Sequence, residues 1–279
     1  LISTIDAWMF IMRILTKKLL TKKTSGRVGI LLLNLGTPRS PDPEDVGEYL
    51  REFLMDPYVL DVPWLLRWFL VRLMIVPKRK QASSKLYQRI WGPDGSPLLH
   101  YSSAFEKKLQ ARLGGHYSVA VGFRYGEPSI ETAVSCLKAA QVERLIALPL
   151  YPQYSHSATQ SSVTKTREVT KRLVPDIRVE FIAPFYDRLE YLDAVALPGK
   201  RHLEEHGYDR VLFSFHGIPE THVRKTDASH SHCLIGPDCC DQITEINRDC
   251  YRAQCFATAR ALAGRLQISP LKFHISFQS

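Results

Sequence analysis

Val28-Gly-Ile-Leu-Leu-Leu-Asn-Leu35, closed at once by Gly36, is the stretch that decides the fold. It is a short, continuous apolar run with no polar alternation. Such a run reads as a strand buried on both faces, as in a parallel sheet. Downstream, Val46, Tyr49, Leu50 and Phe53 recur at helical spacing, and Asp42 with Pro43 marks that helix start. Farther out, Tyr117 to Phe123, Arg144 to Leu150, Ile177 to Ile182, Asp209 to Phe215 and Leu271 to Phe277 read as further strands. Helical patterns fall between most of them, as at Ile130 to Ala140 and Ser161 to Leu173. Strand–helix alternation of this kind predicts an α/β fold of doubly wound parallel sheets with right-handed crossovers. No internal repeat is evident. The join between two halves is expected at Pro184 to Arg188.

Composition sets the bounds on partners. Lys plus Arg number 37 against 28 Asp plus Glu, a formal charge of +9, and 45% of residues are hydrophobic. A basic chain attracts nucleic acid, anionic lipid or polycarboxylates. Here the basic residues are scattered and no zinc-finger or RNP pattern occurs, so nucleic acid is not an expected partner. The opening, Ile2 to Lys23, holds an apolar patch (Trp8, Met9, Phe10, Ile11, Met12) ahead of Lys17, Lys18, Lys22 and Lys23. The patch falls short of the roughly 20 apolar residues a bilayer span needs. The order of charge is also reversed for a signal peptide. A loose leader over 1–27 is expected, with Met12 a sensible start.

Five of the six cysteines fall in Cys233-x5-Cys239-Cys240-x9-Cys250-x4-Cys255. One tight group in a Cys-poor chain suggests an iron–sulfur or metal site in a reducing compartment. Structural zinc, helped by His230 or His232, competes with that reading. So do free or disulfide-linked thiols. Cys136, on a helical pattern, is expected to be an inert core residue. Trp64-Leu-Leu-Arg-Trp-Phe-Leu-Val-Arg-Leu-Met-Ile-Val76, followed by Lys78, Arg79 and Lys80, combines apolar, aromatic and basic residues. It suits a membrane interface over 64–80, or else a buried core helix.

Ligands of doubly wound sheets bind beyond the carboxyl ends of the strands. Four loops there are rich in polar and aromatic residues: Asn34-Leu-Gly-Thr-Pro38, Gly122-Phe-Arg-Tyr-Gly126, Tyr151-Pro-Gln-Tyr-Ser155 and Ser214-Phe-His-Gly-Ile-Pro219. They are expected to converge on one cleft. With Tyr87-Gln-Arg-Ile90 and Gly95-Ser-Pro97, they resemble the ferrochelatase family in order and spacing, from about Val28 to the end of the chain.

That resemblance implies two Rossmann-like lobes of the chelatase fold, 28–187 and 188–279, the second incomplete. It implies insertion of ferrous iron into protoporphyrin IX, the terminal step of heme biosynthesis. His216 matches the catalytic position, as proton acceptor or iron ligand; a neutral imidazole suits either role. Arg124 and Tyr125 match a pair assigned to propionate or metal-path contacts, and Arg supplies a fork for a carboxylate. Leu35, Tyr87, Ser96 and Tyr151 match positions that hold substrate or line the pocket, and Arg79 a basic residue near the propionates. Residues 64–80 resemble a hydrophobic lip that contacts a membrane, implying a cytoplasmic, peripherally membrane-associated enzyme and leaving a homodimer open. Cys233, Cys239, Cys240, Cys250 and Cys255 resemble an internal insert of some microbial members that carries a [2Fe–2S] cluster on four of the five. The family continues beyond Ser279 with a Glu-bearing strand and closing helices that have no counterpart here. The rival readings are a chelatase for cobalt or nickel and a more carboxylated tetrapyrrole, or a non-catalytic remnant that binds porphyrin or a cluster.

Overall fold

A computed structural model describes residues 26–278. The apolar patch at Trp8, the lysines after it and Met12 lie outside the described residues. The chain divides into two compact units. One runs through Tyr151 and resumes over His156–Ala183; the other comprises Pro152–Ser155 and Pro184–Ser279.

In the first unit the elements follow as β1 (Val28–Gly36), α1 (Pro43–Leu54), α2 (Trp64–Phe69), α3 (Val76–Ile90), α4 (Pro97–Leu113), β2 (Tyr117–Tyr125), α5 (Ile130–Ala139), β3 (Arg144–Pro149), α6 (Ser161–Leu173) and β4 (Arg178–Phe181). The strands form one parallel sheet in the order β2-β1-β3-β4. Ile30, Leu31, Leu32 and Leu33 have no exposed surface, because β1 is central and both faces are covered. The chain leaves β1 to one side for β2 and returns to the other side for β3. The carboxyl ends of β1 and β3 therefore flank the point where the winding reverses, where such sheets bind ligands.

α5 shows how local pattern and tertiary burial agree and then part. Ser129 caps it, accepting a bond from the Thr132 N–H at 3.1 Å. Ile130, Ala133, Val134 and Leu137 form its buried stripe against the core with Leu31, Leu145 and Val169. Cys136, expected in the core, is exposed. Six residues beyond Ile130 at about 100° each turns it about 120° away from Ile130, outside that stripe. α6 buries a stripe of hydroxyls as well, and Thr166 and Thr170 satisfy theirs by donating to the carbonyls of Ser162 and Thr166 at 2.8 Å.

Between α2 and α3 the helix continues through a π-helical segment, Leu70–Ile75, in which the Val76 N–H reaches back to the Val71 carbonyl. Pro77, lacking an N–H, cannot close the ordinary bond of the next turn. This segment is not a buried core helix. Val71, Val76 and Arg67 point inward, whereas Leu65 is 73% exposed and Trp64 58%, with Leu66, Trp68, Phe69, Leu73 and Met74 also exposed.

The second unit contains α7 (Leu189–His206), β5 (Val211–His216), α8 (Glu220–Arg224), α9 (Tyr251–Arg265) and β6 (Phe273–Gln278). β5 and β6 pair in parallel from Val211↔Phe273 to His216↔Gln278. Leu192 and Ala196 of α7 pack with Leu262 of α9.

Candidate functional site

The loops after β1 and β2, and Tyr151 at the head of the third loop, lie within the first unit. The loops after β1 and β2 touch backbone to backbone, which is why both need glycine. A Cβ on Gly36 (φ +109°) would lie 1.7 Å from the Tyr125 carbonyl oxygen, and one on Gly126 (φ +76°) 2.6 Å from that of Thr37. The Thr37 hydroxyl donates to buried Ser96 at 2.8 Å, drawing in the start of α4. The Tyr49 hydroxyl donates to the Gly36 carbonyl at 3.2 Å, and its ring meets Tyr87 edge-on at 6.3 Å. Leu35, Tyr87 and Ser96 are thus gathered around one loop. Arg79 is exposed on α3. A cavity of about 390 Å³ opens here, lined by Thr37, Tyr49, Glu52, Trp91, Ser96 and Glu127 among others.

β2 runs two residues further than the sequence pattern predicts, because its pairing with β1 continues to Gly36↔Tyr125. Arg124 and Tyr125 are therefore strand residues with fixed directions. Arg124 pairs with the buried carboxylate of Asp56 through Nη2 and donates from Nε to the Ser161 hydroxyl at 2.6 Å. The Tyr125 hydroxyl donates to the same carboxylate oxygen at 2.8 Å, and Ser161 does so at 2.5 Å. The guanidinium also lies 4.5 Å over the Tyr125 ring. Burial holds the Tyr125 hydroxyl well above its ordinary pKa, so it stays a neutral donor. Tyr151 is likewise held neutral by burial and shares a 3.2 Å bond with Ser162 at the start of α6. Asp56, Ser161 and Ser162 were not anticipated. Their only sequence signals are an Asp between apolar residues after α1 and a Ser pair opening a helix, both common in loops and caps.

His216 lies in the second unit. It is the last residue of β5 rather than a loop residue beyond it, and its side chain is exposed. The next N–H, of Gly217, donates to the Gln278 carbonyl at 2.5 Å, and the His216 backbone hydrogen-bonds the Tyr251 hydroxyl. The ring is thus carried on a backbone fixed from two sides. It can accept a proton or ligate a metal. In the same unit the Tyr154 N–H donates to Gln254 of α9 at 2.7 Å, and Gln153 donates to Thr258 at 3.0 Å.

The cysteines separate into two sets. Cys233, Cys239, Cys240 and Cys250 are buried together with Val223 and Ala253. The Sγ atoms of Cys239 and Cys240 are 3.8 Å apart, and Cys250 hydrogen-bonds both Cys233 and Cys240. Cys255, one turn along α9 from Tyr251, bonds that hydroxyl instead, and burial pushes its thiol up to about 12. Asp227 holds the insert's backbone, accepting the N–H groups of Cys233 and His232 at 2.8 Å each. Burial opposes its charge, but these donors and Ser229 outweigh it and keep the carboxyl well below its usual range. Fully buried Asn247 donates to the Cys239 and Gln242 carbonyls at 3.0 and 2.9 Å. Arg252 donates to the Cys240 sulfur at 3.0 Å. His232 Nε2 lies 3.0 Å from the Cys239 carbonyl. Among the described residues no three His, Cys, Asp or Glu side chains are disposed to hold a single ion. The donor set still suits a cluster in kind: four soft thiols in one dry place, beside a guanidinium that complements their negative charge as thiolates.

Residues 27–279 match the family model described as Ferrochelatase. Among curated proteins, "Ferrochelatase" of Coxiella burnetii (strain RSA 493 / Nine Mile phase I) is 43% identical over 262 residues, covering 94% of this chain and 73% of that protein. "Ferrochelatase" of Azotobacter vinelandii (strain DJ / ATCC BAA-1303) is 43% identical over 254 residues, 90% of this chain and 73% of its own length. "Ferrochelatase" of Stutzerimonas stutzeri (strain A1501) is 41% identical over 254 residues, with the same coverage of 90% and 73%.

Proposed function

The chain belongs to the ferrochelatase family, enzymes that insert ferrous iron into protoporphyrin for heme synthesis, and we propose that His216 accepts the pyrrole protons or ligates the incoming iron. What supports this role is an exposed imidazole at the carboxyl end of a strand, on a backbone tied to both Gln278 and Tyr251. Metalation removes two pyrrole protons and admits a dication, and both tasks need a group that is neutral and basic near neutral pH. Leu35, Tyr87, Ser96, Arg124, Tyr125 and Tyr151 serve the substrates from the first unit, with Arg79 on α3 an outlying basic contact for a propionate. The direct assay is anaerobic mixing of the protein with ferrous iron and protoporphyrin IX, read as loss of porphyrin fluorescence and growth of heme absorption. Turnover is expected with protoporphyrin. Preference for cobalt or nickel and a more carboxylated tetrapyrrole would transfer the same residues to a different chelatase.

Cys233, Cys239, Cys240 and Cys250 are the set that would hold a [2Fe–2S] cluster, because they are buried together while Cys255 is tied to Tyr251. Bound there, the cluster would supply a one-electron couple and a covalent tie across the insert. The protein's own contribution is the backbone scaffold of Asp227 and Asn247 and the positive charge of Arg252.

The exposed apolar face from Trp64 to Met74, next to Lys78 and Arg79, is the membrane-facing lip. No helix among the described residues is long and apolar enough to cross a membrane. Contact would therefore be interfacial, with aromatic side chains among the headgroups and basic residues on anionic lipid. Co-sedimentation with phosphatidylcholine–phosphatidylglycerol vesicles is the check. The Leu65→Glu/Phe69→Glu double variant is expected to lose most vesicle binding and keep its rate with detergent-solubilised porphyrin. Undiminished vesicle binding would exclude this face.

A further inference from the structure

Asp56 is a carboxylate where the sequence gives no reason for one. It follows α1 and is 3% exposed, yet both oxygens are used. Oδ1 accepts the Tyr58 N–H at 2.7 Å, and Oδ2 takes Arg124 Nη2, the Tyr125 hydroxyl and the Ser161 hydroxyl. The edge of Arg124 formed by Nε and Nη2, one of the two forks by which a guanidinium grips a carboxylate, is therefore already occupied by Ser161 and Asp56. This changes the sequence-based expectation for Arg124. A guanidinium engaged on that edge and neutralised by a buried anion is poorly suited to clamp a porphyrin propionate.

Resting on the reading that Arg124 and Tyr125 serve the reaction site, we infer that Asp56 is a positioning residue for the metal half of the reaction. It cancels the charge of Arg124, keeps that fork from a porphyrin carboxylate, and fixes the direction of the Tyr125 hydroxyl. An approaching dication then meets a neutral, hydrogen-bonded network instead of a bare cation in a medium of low dielectric. The two substrates feel this oppositely. An unpaired Arg124 repels ferrous iron and attracts a carboxylated porphyrin.

The test is steady-state kinetics of the chain, of Asp56→Asn and of Asp56→Asn/Arg124→Gln, each varied separately in iron and in porphyrin, with thermal melts of all three. Asp56→Asn is expected to raise the iron KM about tenfold or more, leaving the porphyrin KM unchanged or lower, since a single removal strands a buried charge. The double variant, with the charge gone, is expected to show a lower iron KM than the single variant and to melt above it, the non-additivity of a directly coupled pair. A merely structural role would raise both KM values together or leave the double variant worse than the single. Either result overturns the inference, as does a double variant that folds no better than an unfolded Asp56→Asn. If the unsubstituted chain inserts no iron, the functional reading is what fails. The melts then test the pairing by themselves, and a double variant melting at or below the single overturns it.

Discussion

Replacing His216 with alanine is expected to cut iron insertion at least about a hundredfold while porphyrin affinity stays within about threefold, the loss typical of a positioned proton acceptor. The side chain is exposed and its ring is not part of a buried core, so truncation removes chemistry without opening a cavity. The backbone ties of this strand end, to Gln278 and Tyr251, do not use the imidazole and survive the change. The measurement is single-turnover insertion beside porphyrin fluorescence quenching. A variant that keeps full insertion would sink the assignment. One that loses porphyrin binding equally would make His216 a binding residue.

Serine at Cys233, Cys239, Cys240 or Cys250 is expected to abolish iron–sulfur absorption of anaerobically purified protein and to lower its melting temperature. Serine at Cys255 or Cys136 is expected to leave the spectrum intact. The division follows from geometry: four thiols share one buried pocket, the fifth is bonded to Tyr251, and Cys136 is exposed on α5. Losing one of four ligands leaves a labile cluster, and a metal that binds only the folded insert contributes its binding energy to folding. Metal analysis decides between the two donor chemistries. Two irons with acid-labile sulfide per chain support the cluster, and one zinc without sulfide supports a zinc site. A visible spectrum unchanged by Cys239→Ser, or lost on Cys255→Ser, would assign the cluster to a different set of thiols.

Much of this was readable in the chain. The uninterrupted apolar run of β1 demands cover on both faces, and the structure leaves none of Ile30 to Leu33 exposed. Alternating strand and helix patterns gave the parallel topology, because a parallel crossover needs a helix of its own. Gly36 marked the end of the apolar run, and β1 closes there. The pattern was less reliable wherever a residue's surroundings come from another element. Cys136 sits in an apolar-looking helix but on its outer side. The Trp64 to Val76 stretch fits a core helix and a surface lip equally by composition, and only the cover supplied by neighbours separates them.

The residue types and the alternation of strands with helices were therefore determined by the sequence alone. The tertiary structure decided which side chains share a partner. Arg124 finds Asp56 across 68 positions and Ser161 finds it across 105, and the fifth cysteine is diverted from its four neighbours by a tyrosine one helical turn away. Periodicity reports only which way a side chain leaves its own helix or strand. A buried charge, by contrast, is tolerable only where a counter-charge and donors arrive from elsewhere in the fold, and only the assembled sheet specifies where that is.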